Sequence, residues 1–294
     1  MFDENSKVVK IFATGLKGYK TIDAILSLTS DVIVCLGKDP KVIDDFSEEI
    51  IRLCNSHNVS FSIYPENCNH TFGLAIAAGW QRMIYDIPDH ALVVFHDSIL
   101  PRYRGFNPLV SALINRDSQV GVTALKPANK YDEGDIFSQR IIDIEYPIKI
   151  SDAIDKICDE YAYLTCEIYE KFFIGELDSI EQDHASATYS LWRDDDDYAI
   201  NWNNDAEYIC NFINCVGYPY KGASASMNST IVRVVSASVL PDLNIVNRDV
   251  GKIVFMDNGK PVVVCGKGLL RIDELYTDDN CSLIGKIKFR TRFK

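Results

Sequence analysis

A doubly wound α/β domain with a mostly parallel sheet, followed by a small β-barrel domain of the OB type, is the architecture this sequence predicts. Three observations carry it. Through residue 173, short apolar runs alternate with helical stretches, the pattern of strands crossing over to helices. The run Ala91-Leu92-Val93-Val94-Phe95 is apolar throughout, as expected of a strand buried on both faces of a parallel sheet. Beyond Pro219 the chain turns into short strands separated by Asn, Gly and Asp turns. The change of character near Leu177 sets a first domain over 1–185 and a second over 186–294.

Taken in order, residues 8–13 read as the first strand, running into Thr14-Gly15-Leu16-Lys17-Gly18. A glycine-bearing turn there can present backbone N–H groups to an anion, although the full GxGxxG spacing is absent. A helix follows over 21–28, a strand over 32–36, an amphipathic helix over 40–58 and a strand over 59–64. Residues 74–80 read as a further strand, whose alanines suit a helix nearly as well. After the central strand at 91–95 come a short helix (109–115), a strand (120–125), a loop (126–134) and a strand (136–146). A long amphipathic helix over 151–173 has Ser151 or Asp152 as its cap. The acidic tetrad at 194–197 has the character of a solvated turn, and it precedes a helix over 205–216. Five strands, at 230–236, 251–256, 261–264, 269–275 and 286–293, make the barrel. In the last, period two puts Lys286, Lys288, Arg290, Arg292 and Lys294 on one face. Such a face either protects a sheet edge by charge or meets a polyanion.

At 294 residues, with 47% hydrophobic and 24% charged residues, the chain has the composition of an ordinary soluble protein with room for two cores. Residues 1–12 lack an apolar core behind basic residues, and no run of about 18 apolar residues occurs. The expectation is a cytoplasmic protein without leader or membrane span. Nine cysteines (35, 54, 68, 158, 166, 210, 215, 265 and 281) include no CxxC pair. Their placement in apolar runs suits small buried hydrophobes in a reducing compartment, not a disulfide framework or zinc site. Net charge is −12, and it is uneven: 13 acidic and 13 basic residues follow position 185, against 29 acidic and 17 basic before it. Phosphate attraction supplies most non-specific nucleic-acid affinity, so this balance makes a nucleic-acid partner unlikely.

His96 follows the central strand directly, where an open α/β sheet presents its ligands. A lone His at that place is as readily a solvated loop residue, and its surroundings must decide. They read Val94-Phe95-His96-Asp97-Ser98-Ile99-Leu100-Pro101-Arg102-Tyr103-Arg104-Gly105, with Gly121-Val122-Thr123 and Asp132-Glu133-Gly134-Asp135-Ile136 downstream. These segments resemble the folate-dependent formyltransferase family, whose signature is Asn-x-His-x-Ser-Leu-Leu-Pro-x-x-x-Gly with a later Asp-x-Gly-x-Ile loop. Asp197, Ile200 and Trp202 resemble the family's D-x-x-I-x-W element, and Gly217-Tyr218-Pro219-Tyr220-Lys221-Gly222-Ala223 the element before its C-terminal barrel. The likeness therefore covers most of the chain.

The resemblance implies a formyltransferase acting on an amine with N10-formyltetrahydrofolate as co-substrate and no metal. His96 would donate to the developing oxyanion or shuttle the amine proton, and Asp132 would orient it. Arg82, Met83 and Ile84, with the loop Ala128, Asn129, Lys130, Tyr131 and Asp132, would contact the pterin, largely through backbone groups. The SLWRDDDDYAINW stretch and the FRTRF ending look more like the sugar N-formyltransferases than the tRNA enzyme. The favoured acceptor is a nucleotide-linked amino-deoxysugar for surface polysaccharide assembly, with Lys17, Arg102, Tyr103 and Arg104 meeting its diphosphate. Methionyl-tRNA is the alternative acceptor, and a formyltetrahydrofolate hydrolase or a non-catalytic binder are the others. A homodimer follows from family analogy. One departure stands out: the family Asn is Val94, which cannot donate to an oxyanion. Three explanations stand: a nearby amide, Asn107 or Asn129, substitutes; His96 with a backbone N–H or water suffices; or the protein binds without efficient turnover.

Overall fold

The computed structural model describes residues 1–66 and 70–294, so Cys68 lies outside the described residues. The chain divides into two compact units, residues 1–144 with 152–192, and residues 145–151 with 193–294. In the first unit the order is β1 (Val9–Ala13), α1 (Gly15–Leu26), β2 (Val32–Leu36), α2 (Ser47–Ser56), β3 (Ser60–Ile63), β4 (Leu74–Ala78) and β5 (Leu92–His96). Then come β6 (Arg104–Gly105), α3 (Pro108–Ile114), β7 (Gln119–Leu125), β8 (Ile136–Asp143), α4 (Ile150–Ile174) and β9 (Tyr189–Ser190).

Seven strands form one sheet in the order β3-β2-β1-β4-β5-β7-β8. The first five run parallel, and β7 and β8 are antiparallel to their neighbours. Every residue of β1, β2 and β4 is buried, which is why β2 and β4 read as unbroken apolar runs and β1 as one interrupted only by Lys10. The alanines of β4 are strand residues: Ala75, Ala77 and Ala78 sit fully inside the sheet, where packing outweighs helix propensity.

Three boundaries differ from the sequence reading, each for a local reason. Helix α1 begins at Gly15, so the supposed turn at 14–18 is the helix's first turn. Residues 40–46 do not join α2, because Asp39, Asp44 and Asp45 side chains accept from the N–H groups of Lys41, Phe46 and Ser47 at 2.9, 2.9 and 3.0 Å. Short acidic side chains compete in this way with helix formation. Ser151 and Asp152 lie inside the first turn of α4 instead of capping it, although Asp152 still suits the positive end of the helix. The first unit also runs to 192, past the expected boundary at 185, because β9 pairs with β6.

In the second unit α5 (Ala206–Cys215) precedes β10 (Ala223–Met227), β11 (Thr230–Leu240), β12 (Ile253–Asp257), β13 (Lys260–Val264) and β14 (Leu269–Thr277). These form a five-stranded antiparallel sheet in the order β10-β11-β14-β13-β12. Five strands were expected, but not these five: β10 replaces the expected strand at 286–293. That segment is mostly turn, with Lys286 N–H bonded to Leu283 O and Thr291 N–H to Lys288 O, both at 3.0 Å. Alternation without a partner strand does not make a strand, and the five cations do not share one face.

The last residues still matter, because they join the two sheet edges. Phe293 bridges Met227 of β10, while Arg292 bridges Lys252 just before β12. Ser226 and Lys294 exchange bonds of 2.7 and 2.9 Å, and Phe293 N–H reaches Gly251 O at 2.8 Å. A Cβ on Gly251 would stand 2.1 Å from Phe293 O, so only glycine lets the tail close. The Phe293 ring is 1% exposed and lies 5.6 Å, centroid to centroid, from Trp202. Among the described residues no helix is long and apolar enough to cross a membrane.

Phe293→Ala removes the aromatic plug of this closure and is expected to destabilise the second unit by about 3–5 kcal/mol. Urea unfolding followed by Trp202 fluorescence reads the loss. A midpoint unchanged from the parent protein would show that the tail contributes nothing.

Candidate active site

His96 is the last residue of β5 and is buried, its side chain 8% exposed. The turn that follows is fixed from inside the sheet. Thr123 on β7 donates to Ser98 O at 2.7 Å and accepts from Leu100 N–H at 3.3 Å and from Gln139 Nε2 at 2.8 Å. Gln139 also donates to Leu100 O at 2.9 Å, and Ser98 Oγ to Arg102 O at 2.7 Å. The turn therefore returns the chain to β6 in one geometry, with Tyr103 beside the His96 ring.

Three consecutive residues there touch the site. Tyr103 O lies 2.8 Å from His96 Nε2. Arg104 turns inward and is 1% exposed. Gly105 N–H donates to Asp132 Oδ2 at 2.8 Å. The other carboxylate oxygen, Asp132 Oδ1, stands 3.4 Å from His96 Nδ1. Both ring nitrogens thus face acceptors, an arrangement that a doubly protonated imidazole satisfies at both ends. For a substrate to engage Nε2, the bond to Tyr103 O must be exchanged.

The loop carrying Asp132 is shaped by Gly134, where a Cβ would sit 2.0 Å from Lys126 O. Asp132 itself lies in the left-handed region at φ 58°. Such backbone costs about 1–3 kcal/mol outside glycine and persists only where neighbours over-determine it.

The four residues expected at an acceptor's diphosphate are committed elsewhere. Lys17 pairs with Asp97, whose other oxygen accepts from Tyr161 O–H at 2.5 Å. Arg102 pairs with Asp117 at 2.6 Å, and the same oxygen accepts from the Tyr103 hydroxyl at 3.0 Å. Arg104 donates twice to Gln182 Oε1, at 3.1 and 2.7 Å. These side chains build the site; they do not converge on a common anion.

A different set of cations does converge. Thr14, Lys38, Asp39, Pro40, Lys41, Gln81 and Arg82 line an open concavity of about 140 Å³. It lies beyond the carboxyl ends of β1, β2 and β4, where the strand order reverses, the usual ligand position in such sheets. The Arg82 guanidinium is stacked over Tyr64 and Trp80, 5.0 and 5.3 Å from the ring centroids, and donates to Lys38 O at 3.2 Å. Lys38 and Lys41 went unnoticed in the sequence because nothing marks a surface lysine until topology brings it beside another loop.

Of the other expected contacts, Met83 and Ile84 are half-buried, and Ile84 packs on the cluster around Phe12 and Leu92. Ala128 is half-buried and Asn129 and Lys130 are exposed; Lys130 lies 3.7 Å from Glu133. The Tyr131 ring meets Phe106 edge-on at 5.0 Å. Val94 is packed against that same Phe12 cluster. Among the described residues no group of His, Cys, Asp and Glu is placed to hold a metal ion.

Burial alone would raise the Asp97 carboxyl, but the Lys17 ammonium and the bonds from Lys17 and Tyr161 hold it below its ordinary value. Burial first, then Asp97, push the Tyr161 phenol well above its own. The Asp97–Lys17–Tyr161 group is thus a charged brace under the residue next to His96.

Comparison with known proteins places this geometry in a family. The formyl transferase family model matches residues 68–166, and the formyl transferase C-terminal domain model matches 194–283. A methionyl-tRNA formyltransferase of Thermotoga neapolitana is 30% identical over 193 residues, 65% of this chain and 60% of that one. The chain thus spans about 60% of the length of that curated relative. A sugar 3N-formyl transferase solved with dTDP and 5-N-formyl-THF superposes with a TM-score of 0.68 at 16% identity, over 90% of this chain and 97% of that one. An N-formyltransferase of Helicobacter canadensis, in complex with folinic acid and dTDP-3-aminofucose, also gives 0.68 at 16%, over 91% and 99%.

A depressed carboxyl stabilises the fold above its unfolded value, near 3.9, and the contribution is lost as pH falls through the folded value. Asp97→Asn is expected to cost about 1–3 kcal/mol at pH 7, because Lys17 and Tyr161 lose a charged acceptor. The gap to the parent protein should narrow below about pH 4 in urea titrations at stepped pH. A gap that stayed constant down to pH 2 would contradict this role.

Proposed function

The chain belongs to the formyl transferase family, and from that premise we propose that it transfers the formyl group of N10-formyltetrahydrofolate to the amino group of a nucleotide-linked amino-deoxysugar. The observation that carries this reading is the His96–Asp132 pair, 3.4 Å apart at the carboxyl edge of a parallel sheet. The co-substrate supplies the activated one-carbon unit. Arg82, Met83 and Ile84 and the loop 128–132 hold it, with Arg82 at the edge of the concavity. His96 takes or returns the proton of the attacking amine and offers N–H to the oxygen that gains charge. Asp132, fixed by Gly105 N–H, keeps the ring oriented.

The acceptor's diphosphate is met by Lys38 and Lys41 around the concavity, in place of Lys17, Arg102 and Arg104. In support, both structural neighbours were solved with dTDP or a dTDP-sugar. Methionyl-tRNA is the second reading, favoured by the sequence relatives. The 29 acidic against 17 basic residues before position 186 weigh against a polyanionic tRNA.

A panel assay tests the choice. With N10-formyltetrahydrofolate present, tetrahydrofolate release is followed with dTDP- and UDP-linked amino sugars, with Met-tRNA and without acceptor. Release with a nucleotide amino sugar is expected, and His96→Ala or Asp132→Asn should lower kcat by about 10²–10⁴. Transfer to Met-tRNA alone would overturn the sugar reading, and release without acceptor would identify a hydrolase.

The donor missing at Val94 is supplied by Asn107, which caps α3 two residues after Gly105 at φ 48°. Asn107→Ala is expected to lower kcat by about 10²–10³, and Val94→Asn in the same chain to recover most of it. Full activity of Asn107→Ala would exclude this assignment and turn attention to Asn129.

A further inference from the structure

Asp132 is held by more than its carboxylate. Gln182 Nε2 donates to Asp132 O at 2.8 Å and to Gly134 O at 2.6 Å, so one amide spans the loop on both sides of Glu133. Its Oε1 accepts both bonds from Arg104. Because the oxygen must face the guanidinium and the nitrogen must face the two carbonyls, the amide has one orientation only. Arg104 is held in turn by His184 Nδ1 at 3.0 Å and by Glu133 at 3.7 Å. Arg104 is 1% and Gln182 5% exposed, so these bonds work in surroundings where an unmade one is costly.

We propose that Gln182 and Arg104 form a positioning couple that sets the distance between Asp132 and His96, with Gln182 acting through the Asp132 backbone and Arg104 through the segment 103–105. This rests on His96 and Asp132 being the reacting pair. Arg104 sits between Tyr103, whose carbonyl meets His96, and Gly105, whose N–H meets Asp132. Tying Arg104 to Gln182, and Gln182 to the Asp132 loop, closes a ring of bonds around the catalytic pair. Without it, the left-handed Asp132 would relax toward commoner backbone conformations and its carboxylate would leave the imidazole. Gln182 comes from the polar run after α4, which on sequence alone is only a connector.

A purely structural role predicts lost stability without a specific kinetic pattern, and the test separates the two. The variants are Gln182→Leu, Gln182→Glu, Asp132→Asn and the double Gln182→Leu/Asp132→Asn. Ile50→Val, a fully buried α2 position, serves as a stability control. Turnover is measured with N10-formyltetrahydrofolate and the acceptor on which the parent protein works. Gln182→Leu should lower kcat about 10–100-fold, as expected for a small misplacement of a catalytic group, while KM stays within about threefold. Added to Asp132→Asn it should lower kcat by no more than about twofold, since both act through one group. Ile50→Val should leave kcat unchanged at a similar loss of stability. An unaltered kcat in folded Gln182→Leu, or losses that multiply in the double variant, would overturn the proposal.

If Gln182→Leu fails to fold, Gln182→Glu decides: it keeps the acceptor for Arg104, loses the donors to both carbonyls, and should show the same kcat loss. A second readout does not depend on turnover. The imidazole ¹⁵N shifts of His96 in histidine-labelled protein should move in the Gln182 variant and not in Ile50→Val. Should the parent protein transfer formyl to no acceptor, the reaction assigned above fails, and the His96 shifts alone judge the couple; unmoved shifts would overturn it.

Discussion

A mostly buried carboxylate on a residue with left-handed backbone cannot be held by its own loop, and the architecture around Asp132 answers that constraint. The Asp132 side chain is 12% exposed, and the groups that hold its carboxylate and its backbone carbonyl come from distant parts of the sequence. Gly105 arrives from the turn after β5, Gln182 from the segment after α4, and His96 from the end of β5 itself. Of the three, His96 is delivered by a strand whose own reason for folding is apolar burial. The seven-stranded sheet supplies rigidity, and the β6–β9 pairing ties the segment carrying Gln182 back to the turn carrying Gly105.

The same logic explains why the cations nearest His96 are held by the protein's own polar groups. His96 is followed by a second buried carboxylate, Asp97, which is compensated by Lys17 and Tyr161. Asp132 is therefore the carboxylate left facing the imidazole. Lys17 is the counter-charge of that brace, and Arg104 the counterpart of Gln182. An anionic ligand must look elsewhere, and the concavity at the strand-order reversal offers Lys38, Lys41 and Arg82 against Asp39. On a chain of net charge −12, such a local surplus favours a small anion over a long polyanion.

How much of this was legible follows from which forces act locally. The apolar runs of β1, β2, β4 and β5 and the order of the chemistry-bearing motifs were readable, because burial and catalysis leave fixed residue types in sequence. His96 and Asp132 were found that way, and they do meet. The fate of the arginines and of Lys17 was not, since a cation looks the same whether it points at solvent or at a buried amide. Gln182 was invisible for a similar reason: a glutamine in a polar run carries no pattern until its partners are placed. The strand expected at 286–293 failed because period-two alternation states a preference for two faces, while a strand also needs a neighbour. Only the tail at 292–294 finds one.

Val94 shows how sequence and packing pull on one position. It lies on β5 in register with Ala77 of β4 and Leu125 of β7, and its side chain packs on the cluster that includes Phe12, Ile33 and Cys35. An asparagine there would carry an amide against apolar neighbours, at a cost of about 1–3 kcal/mol wherever it lacked a partner. A valine removes that cost and also removes a donor from the reacting centre. The exchange is compatible with catalysis only where another group donates from a fixed place. Asn107 has the requirements that placement sets: it follows Gly105 within two residues and caps a helix that starts on Pro108. If Asn107 supplies the donor as proposed, the loss at Val94 and the bracing of the turn that precedes Asn107 are two aspects of one arrangement around His96.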